Sequence, residues 1–165
     1  MKKRFLAVLL LAVLLLPGCG KEKQTTFQVG DKVETYWFQF TVDQVKTTDR
    51  WMDYQPQEGS RLAVCYLTMD STFSEAVPMN WADFVLVWGG GEADGSYPIE
   101  YQGQEQLPDE YDLVKGEERT GCLVFEVPQG VTQAKLVFQE LFNEGDSDRV
   151  YTEGDTYYVD VDLPA

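Results

Sequence analysis

The chain has 165 residues, of which 28 are acidic, 13 basic and none histidine, giving a formal net charge of −15 at pH 7. So acidic a surface repels phosphate backbones, which argues against a nucleic-acid partner. Without histidine there is no Ser-His-Asp or Cys-His nucleophile, no His general base and no His-ligated zinc.

The chain opens with Lys2-Lys3-Arg4, twelve unbroken apolar residues from Phe5 to Leu16, and then Leu16-Pro17-Gly18-Cys19. A bilayer-spanning helix needs roughly 18 or more apolar residues, so this run reads as a secretory leader. Leu-x-Gly-Cys resembles the lipobox of bacterial lipoproteins. That resemblance implies cleavage after residue 18, acylation of Cys19 (palmitate among the chains), and residence on the extracytoplasmic face of the cell membrane. Removing Lys2, Lys3 and Arg4 with the leader takes the charge from −15 to −18. The acidic surface also repels anionic headgroups, so the acyl chains must hold the protein at the membrane.

Residues 19–26 are polar and read as a tether. Residues 27–165 are the right length for one domain. Their dominant period is two. Phe38, Phe40 and Val42 alternate with polar neighbours, and Val45 falls out of phase, predicting a bulge. Leu62–Met69, Phe84–Trp88, Arg119–Val127 and Lys135–Phe138 follow, and Tyr157, Val159, Val161 and Leu163 alternate with polar residues at the end. Glycine-bearing turn signals separate the runs, among them Gly30-Asp31, Lys115-Gly116, Gly145-Asp146 and Glu153-Gly154. Short helical turns fit only Ser74–Ala82 and Asp109–Leu113. The pattern predicts an all-β domain, an antiparallel sandwich or barrel.

Export places Cys65 and Cys122 in an oxidising compartment, which invites a disulfide, and their 57-residue separation resembles the inter-sheet bridge of immunoglobulin domains. Alternation opposes it. It turns Ala63, Cys65, Leu67 and Met69 inward on one strand but Leu123, Phe125 and Val127 inward on the other, leaving Cys122 facing away. A bridge needs a bulge to align the pair; otherwise both are buried thiols.

The order of motifs carries a resemblance. Val29-Gly30-Asp31-Lys32-Val33 precedes the first long strand. Trp81-Ala82-Asp83-Phe84-Val85-Leu86-Val87 leads to Asp94-Gly95-Ser96-Tyr97-Pro98, and Gly116-Glu117 leads to Thr120–Pro128. This resembles the telokin-like, immunoglobulin-type domain of unknown function found on Gram-positive surface lipoproteins. The resemblance implies an immunoglobulin-like antiparallel β-sandwich of seven or more strands and no catalytic residues. Two positions depart from it: Met69-Asp70-Ser71 lacks the asparagine that usually closes the second strand, and Cys122 is unusual there.

Three segments are candidates for contact. The loop Thr47–Ser60 carries Trp51, Met52, Tyr54 and Pro56; Trp51 and Tyr54 either form a ligand-binding pair or fold back as a cap. Asn143–Asp148 is oxygen-rich enough for calcium but lacks EF-hand spacing, and is otherwise a solvated turn. Tyr101–Lys115, rich in acids, either takes a cationic partner or solvates an edge. With no P-loop, dinucleotide fingerprint or activated nucleophile, the expectation is no enzyme, no cofactor and no resident metal. What remains is a membrane-anchored binding module for a protein, wall or small ligand. The alternatives are a structural or envelope-stress protein without a dedicated ligand, and a calcium-binding module.

Overall fold

A computed structural model of the protein describes residues 25–89, 94–143 and 151–164. The residues expected to form the leader, Cys19, and all but the last two residues of the expected tether lie outside the described residues, as does the candidate calcium turn apart from the backbone of its first residue.

Eleven strands and one short 3-10 turn are described: β1 Thr26–Gln28, β2 Lys32–Glu34, β3 Phe38–Thr48, β4 Ser60–Ser71, β5 Val77–Asn80, β6 Phe84–Val87, β7 Gly95–Ser96, β8 Glu110–Leu113, β9 Glu118–Pro128, β10 Gln133–Asn143 and β11 Tyr151–Asp162. They form a sandwich. One sheet runs β1-β11-β10-β6-β7, the other β2-β3-β4-β9, and β5-β8 makes a small ribbon. Pairing is antiparallel except for β1, which lies parallel to β11. All six predicted runs are strands, and the predicted bulge is the register shift between Val42 and Gln44.

The core is aromatic. Phe38, Phe40 and Phe84 are almost fully buried, and Phe138 joins them with ring centroids 5.0 to 6.2 Å away. Edge-to-face packing supplies about 0.5–1.5 kcal/mol per pair beyond the area buried. The predicted inward set on β4 and β9 does line this core. The opposite face is also dry: Leu62, Val64, Cys122 and Val124 form a second buried cluster under Trp51, Tyr54, Tyr66 and Ile99.

This corrects the idea of a disulfide. Cys65 pairs with Leu123, and Tyr66 with Cys122, in an undistorted β4–β9 ladder. The thiols therefore face opposite sides of one sheet, and both are free and buried. Two other expectations change. Asp109–Leu113 is mostly strand, because it pairs with β5; within Ser74–Ala82 a strand precedes the 3-10 turn Trp81–Asp83, which an Asn80–Asp83 capping box holds. Glu153-Gly154 is no turn. Gly154 lies within β11 where a Cβ would fall 2.5 Å from the Phe142 ring, so its glycine answers to packing.

Candidate functional site

The sandwich has two ends. At one, β3 begins and β4 finishes, beside the far ends of β10 and β8; we call it the Trp37 end. At the other lies the loop Thr47–Ser60.

That loop brings Trp51 and Tyr54 together, as a shared site would require, through paired backbone bonds of 3.1 and 2.8 Å. It then turns them onto the protein. The Trp51 indole N–H donates to Gln106 Oε1 at 3.2 Å and the Tyr54 hydroxyl to Glu126 Oε2 at 2.7 Å. Gln106 is itself buried, and its amide donates to the carbonyls of Ile99 and Glu100. Both aromatics are half-buried over the second cluster. The geometry is that of a cap. The Glu126 carboxylate pushes the Tyr54 phenol up to about 12, burial adding to it. Burial raises Glu126, but bonds from Tyr54 and Gln57 outweigh it and leave the carboxyl low.

The acidic connection Tyr101–Lys115 leaves Glu105, Glu110 and Asp112 exposed to solvent, and of its acids only Asp109 is half-buried. Asp109 accepts the Tyr101 N–H, and Tyr111 lies under Arg119, 4.5 Å from guanidinium to ring centre. Arg119 in turn pairs with Glu117 at 2.6 Å. No group of three or more Cys, Asp or Glu gathers to hold a metal among the described residues. Burial pushes the thiols of Cys65 and Cys122 up to about 12, which keeps them protonated and poor nucleophiles.

The Trp37 end is different. Tyr36, Trp37, Phe73 and Phe142 form one cluster with ring centroids 4.7 to 5.7 Å apart. Beside it opens an apolar cleft of about 360 Å³ whose walls include Trp37, Phe73, Pro78, Met79, Phe138 and Leu141. Tyr36 is 58% exposed, Leu141 50% and Val114 49%, and all three sit around this end. Glu75 and Asp83 are the charged groups of the lining; burial raises Asp83, against the bond it accepts from the Asn80 N–H. Beneath the cluster, buried Glu140 accepts from the Tyr36 N–H and the Tyr157 hydroxyl. Contiguous exposed apolar surface of this kind marks contact sites. Sequence reading missed it because Tyr36, Phe73 and Phe142 belong to three separate segments.

The DUF4352 profile matches residues 27–149. The chain belongs to this family, a domain of unknown function. Among solved structures, it is similar to a candidate lipoprotein, ycdA, from Bacillus subtilis subsp. subtilis str. 168, with a TM-score of 0.59 and 15% identity over 86% of this chain. The chain spans only 39% of that larger protein. The yjhA protein of Bacillus subtilis gives a TM-score of 0.55 and 18% identity, covering 82% of this chain and 99% of its own. At such identities the likeness extends to the fold alone. No curated protein matches the sequence. The DUF4352 domain is thus a β-sandwich, and nothing in the match is specific to telokin.

Proposed function

We propose that this DUF4352 chain is a lipid-anchored, extracytoplasmic and non-catalytic contact module whose working surface is the Trp37 end. The observation that carries the reading is the juxtaposition in sequence of a short apolar leader, Leu16-Pro17-Gly18-Cys19 and a polar tether ahead of the domain. The candidate lipoprotein among its structural neighbours is consistent with this. The surface is assigned because its apolar side chains are exposed while Trp51 and Tyr54 already have partners. Non-catalytic action is supported by the missing histidine and by thiols held protonated.

A structural role without a dedicated partner is the second reading, favoured by the net charge of −15 as colloidal repulsion. Metabolic labelling with palmitate tests the anchor: label should enter the wild-type chain and vanish in Cys19→Ala. Label persisting in the variant removes the lipoprotein assignment. Replacing Tyr36 and Leu141 by Asp then separates the readings, since a purely structural protein keeps its cellular phenotype.

A further inference from the structure

We infer that the Trp37 end is the membrane-facing pole of the domain, and that its exposed side chains sit in the headgroup layer of the bilayer to which Cys19 is attached. The inference rests on the lipid-anchor reading and names the partner of that surface.

Strand polarity fixes the end of the domain from which the chain arrives. β1 runs parallel to β11, and the Thr25 carbonyl accepts from the Tyr158 N–H at 2.8 Å. The chain therefore enters β1 from the side of Tyr151, which is the Trp37 end. Thr25 lies six residues beyond Cys19, and even fully extended that stretch reaches about 20 Å. Tyr158 is likewise six residues from Thr152, which lies opposite Phe142, again about 20 Å at strand rise. A fully stretched tether thus brings Cys19 only level with Phe142. The Trp37 end cannot stand clear of the bilayer with the domain upright. Turning the other end down would require reversing the chain, leaving too few residues to reach.

The side chains at that pole suit an interface. Tyr36, Trp37, Phe73 and Phe142 are clustered, and Tyr36, Leu141 and Val114 project. Aromatic residues favour the headgroup level, where an apolar body and a polar tip are both satisfied. Exposed Glu75 and Glu118 near the same end oppose anionic headgroups. The contact is therefore shallow, and its strength comes from the local concentration that the tether imposes.

The test uses the full acylated chain in phosphatidylcholine vesicles whose lipids carry a spin label near the acyl carbonyl. Tyr36→Cys, Leu141→Cys and, at the opposite end, Met52→Cys each receive a fluorophore; Cys65 and Cys122 are fully buried and stay unlabelled. Quenching at positions 36 and 141 should exceed that at 52 by roughly threefold, given the shallow depth of an interfacial belt. It should fall as anionic lipid is added. Equal quenching at all three positions, in protein that still floats with vesicles, overturns the inference and leaves the anchor intact. Failure to float overturns the anchor reading and the inference with it. A photo-crosslinker at position 36 that captures one protein and no lipid in whole cells also overturns it, in favour of a protein partner.

Discussion

Glu140 and Tyr36 meet across the two sheets: the carboxylate of one accepts the backbone N–H of the other at 2.6 Å, although 104 residues separate them. The same carboxylate takes the Tyr157 hydroxyl at 2.9 Å and the Asp155 N–H at 3.2 Å. It reaches inward because β10 shifts register between Gln139 and Leu141. Glu140 is 3% exposed, so these three donors are what make its burial tolerable.

Glu140→Leu should therefore cost about 3 kcal/mol or more, because buried donors are left unpaired. Glu140→Gln keeps an acceptor and should cost less. Urea unfolding of both variants checks the order, and equal losses would mean that volume, not hydrogen bonding, matters at this position.

The Tyr54–Glu126 pair should lose its stabilisation at both pH extremes. Glu126 is low in the folded state, so its contribution is present above its ordinary value of 4.5 and lost as pH falls through the folded value. Tyr54 is raised from 10.0 to about 12, so its contribution holds below pH 10 and is lost as pH climbs through that window. Tyr54→Phe should lower stability at neutral pH by about 1 kcal/mol and flatten the alkaline decline. Thermal melts from pH 9 to 12 measure it, alongside tyrosinate absorbance.

Cys65 and Cys122 should resist a thiol reagent in the native state and both react once the chain unfolds. The intact mass should not change on reduction. Cys122→Ser is expected to destabilise more than Cys122→Ala, since the site beside Leu62 and Val64 is dry and a hydroxyl there is hard to satisfy.

Arg61 clasps the end of the chain at the pole opposite Trp37. Its guanidinium donates to the carbonyls of Pro164 at 2.6 Å, Val131 at 2.7 Å and Leu163 at 3.3 Å. Arg61→Met should cost about 2–4 kcal/mol by stranding those carbonyls. Amide exchange should then accelerate first near Val161 and Leu163; uniform acceleration would argue against a local clasp.

Gly121 lies where a Cβ would come within 2.6 Å of Leu107 Cδ2 and 3.0 Å of the Glu105 carbonyl. Gly121→Ala should lose about 1–3 kcal/mol as the segment Glu105–Leu107 is pushed off β9. Leu107→Ala in the same chain relieves the clash, so the double variant should be more stable than additivity allows.

Alternation alone made the strand positions legible, because a half-buried strand must repeat every two residues and Phe38-Phe40-Val42 or Tyr157-Val159-Val161 does so visibly. It failed at Gly154, where the need for glycine comes from Phe142 on the neighbouring strand rather than from a turn. It also misread β4 and β9 as single-faced. The loop carrying Trp51 and Tyr54, together with the segment from Ile99 to Leu107, covers the outer side and makes Leu62 and Cys122 dry.

The sequence by itself determined the acidity, the absence of histidine chemistry and the all-β period, and it carries the apolar run and Leu16-Pro17-Gly18-Cys19 on which the lipoprotein proposal rests, since each is a property of composition or of neighbours along the chain. Tertiary structure decided what long-range contact alone can decide. It put the two thiols on opposite faces, spent Trp51 and Tyr54 as a cap, and gathered Tyr36, Phe73 and Phe142 at one pole. Strand pairing, unlike alternation, depends on partners a hundred residues away, so no local pattern records it.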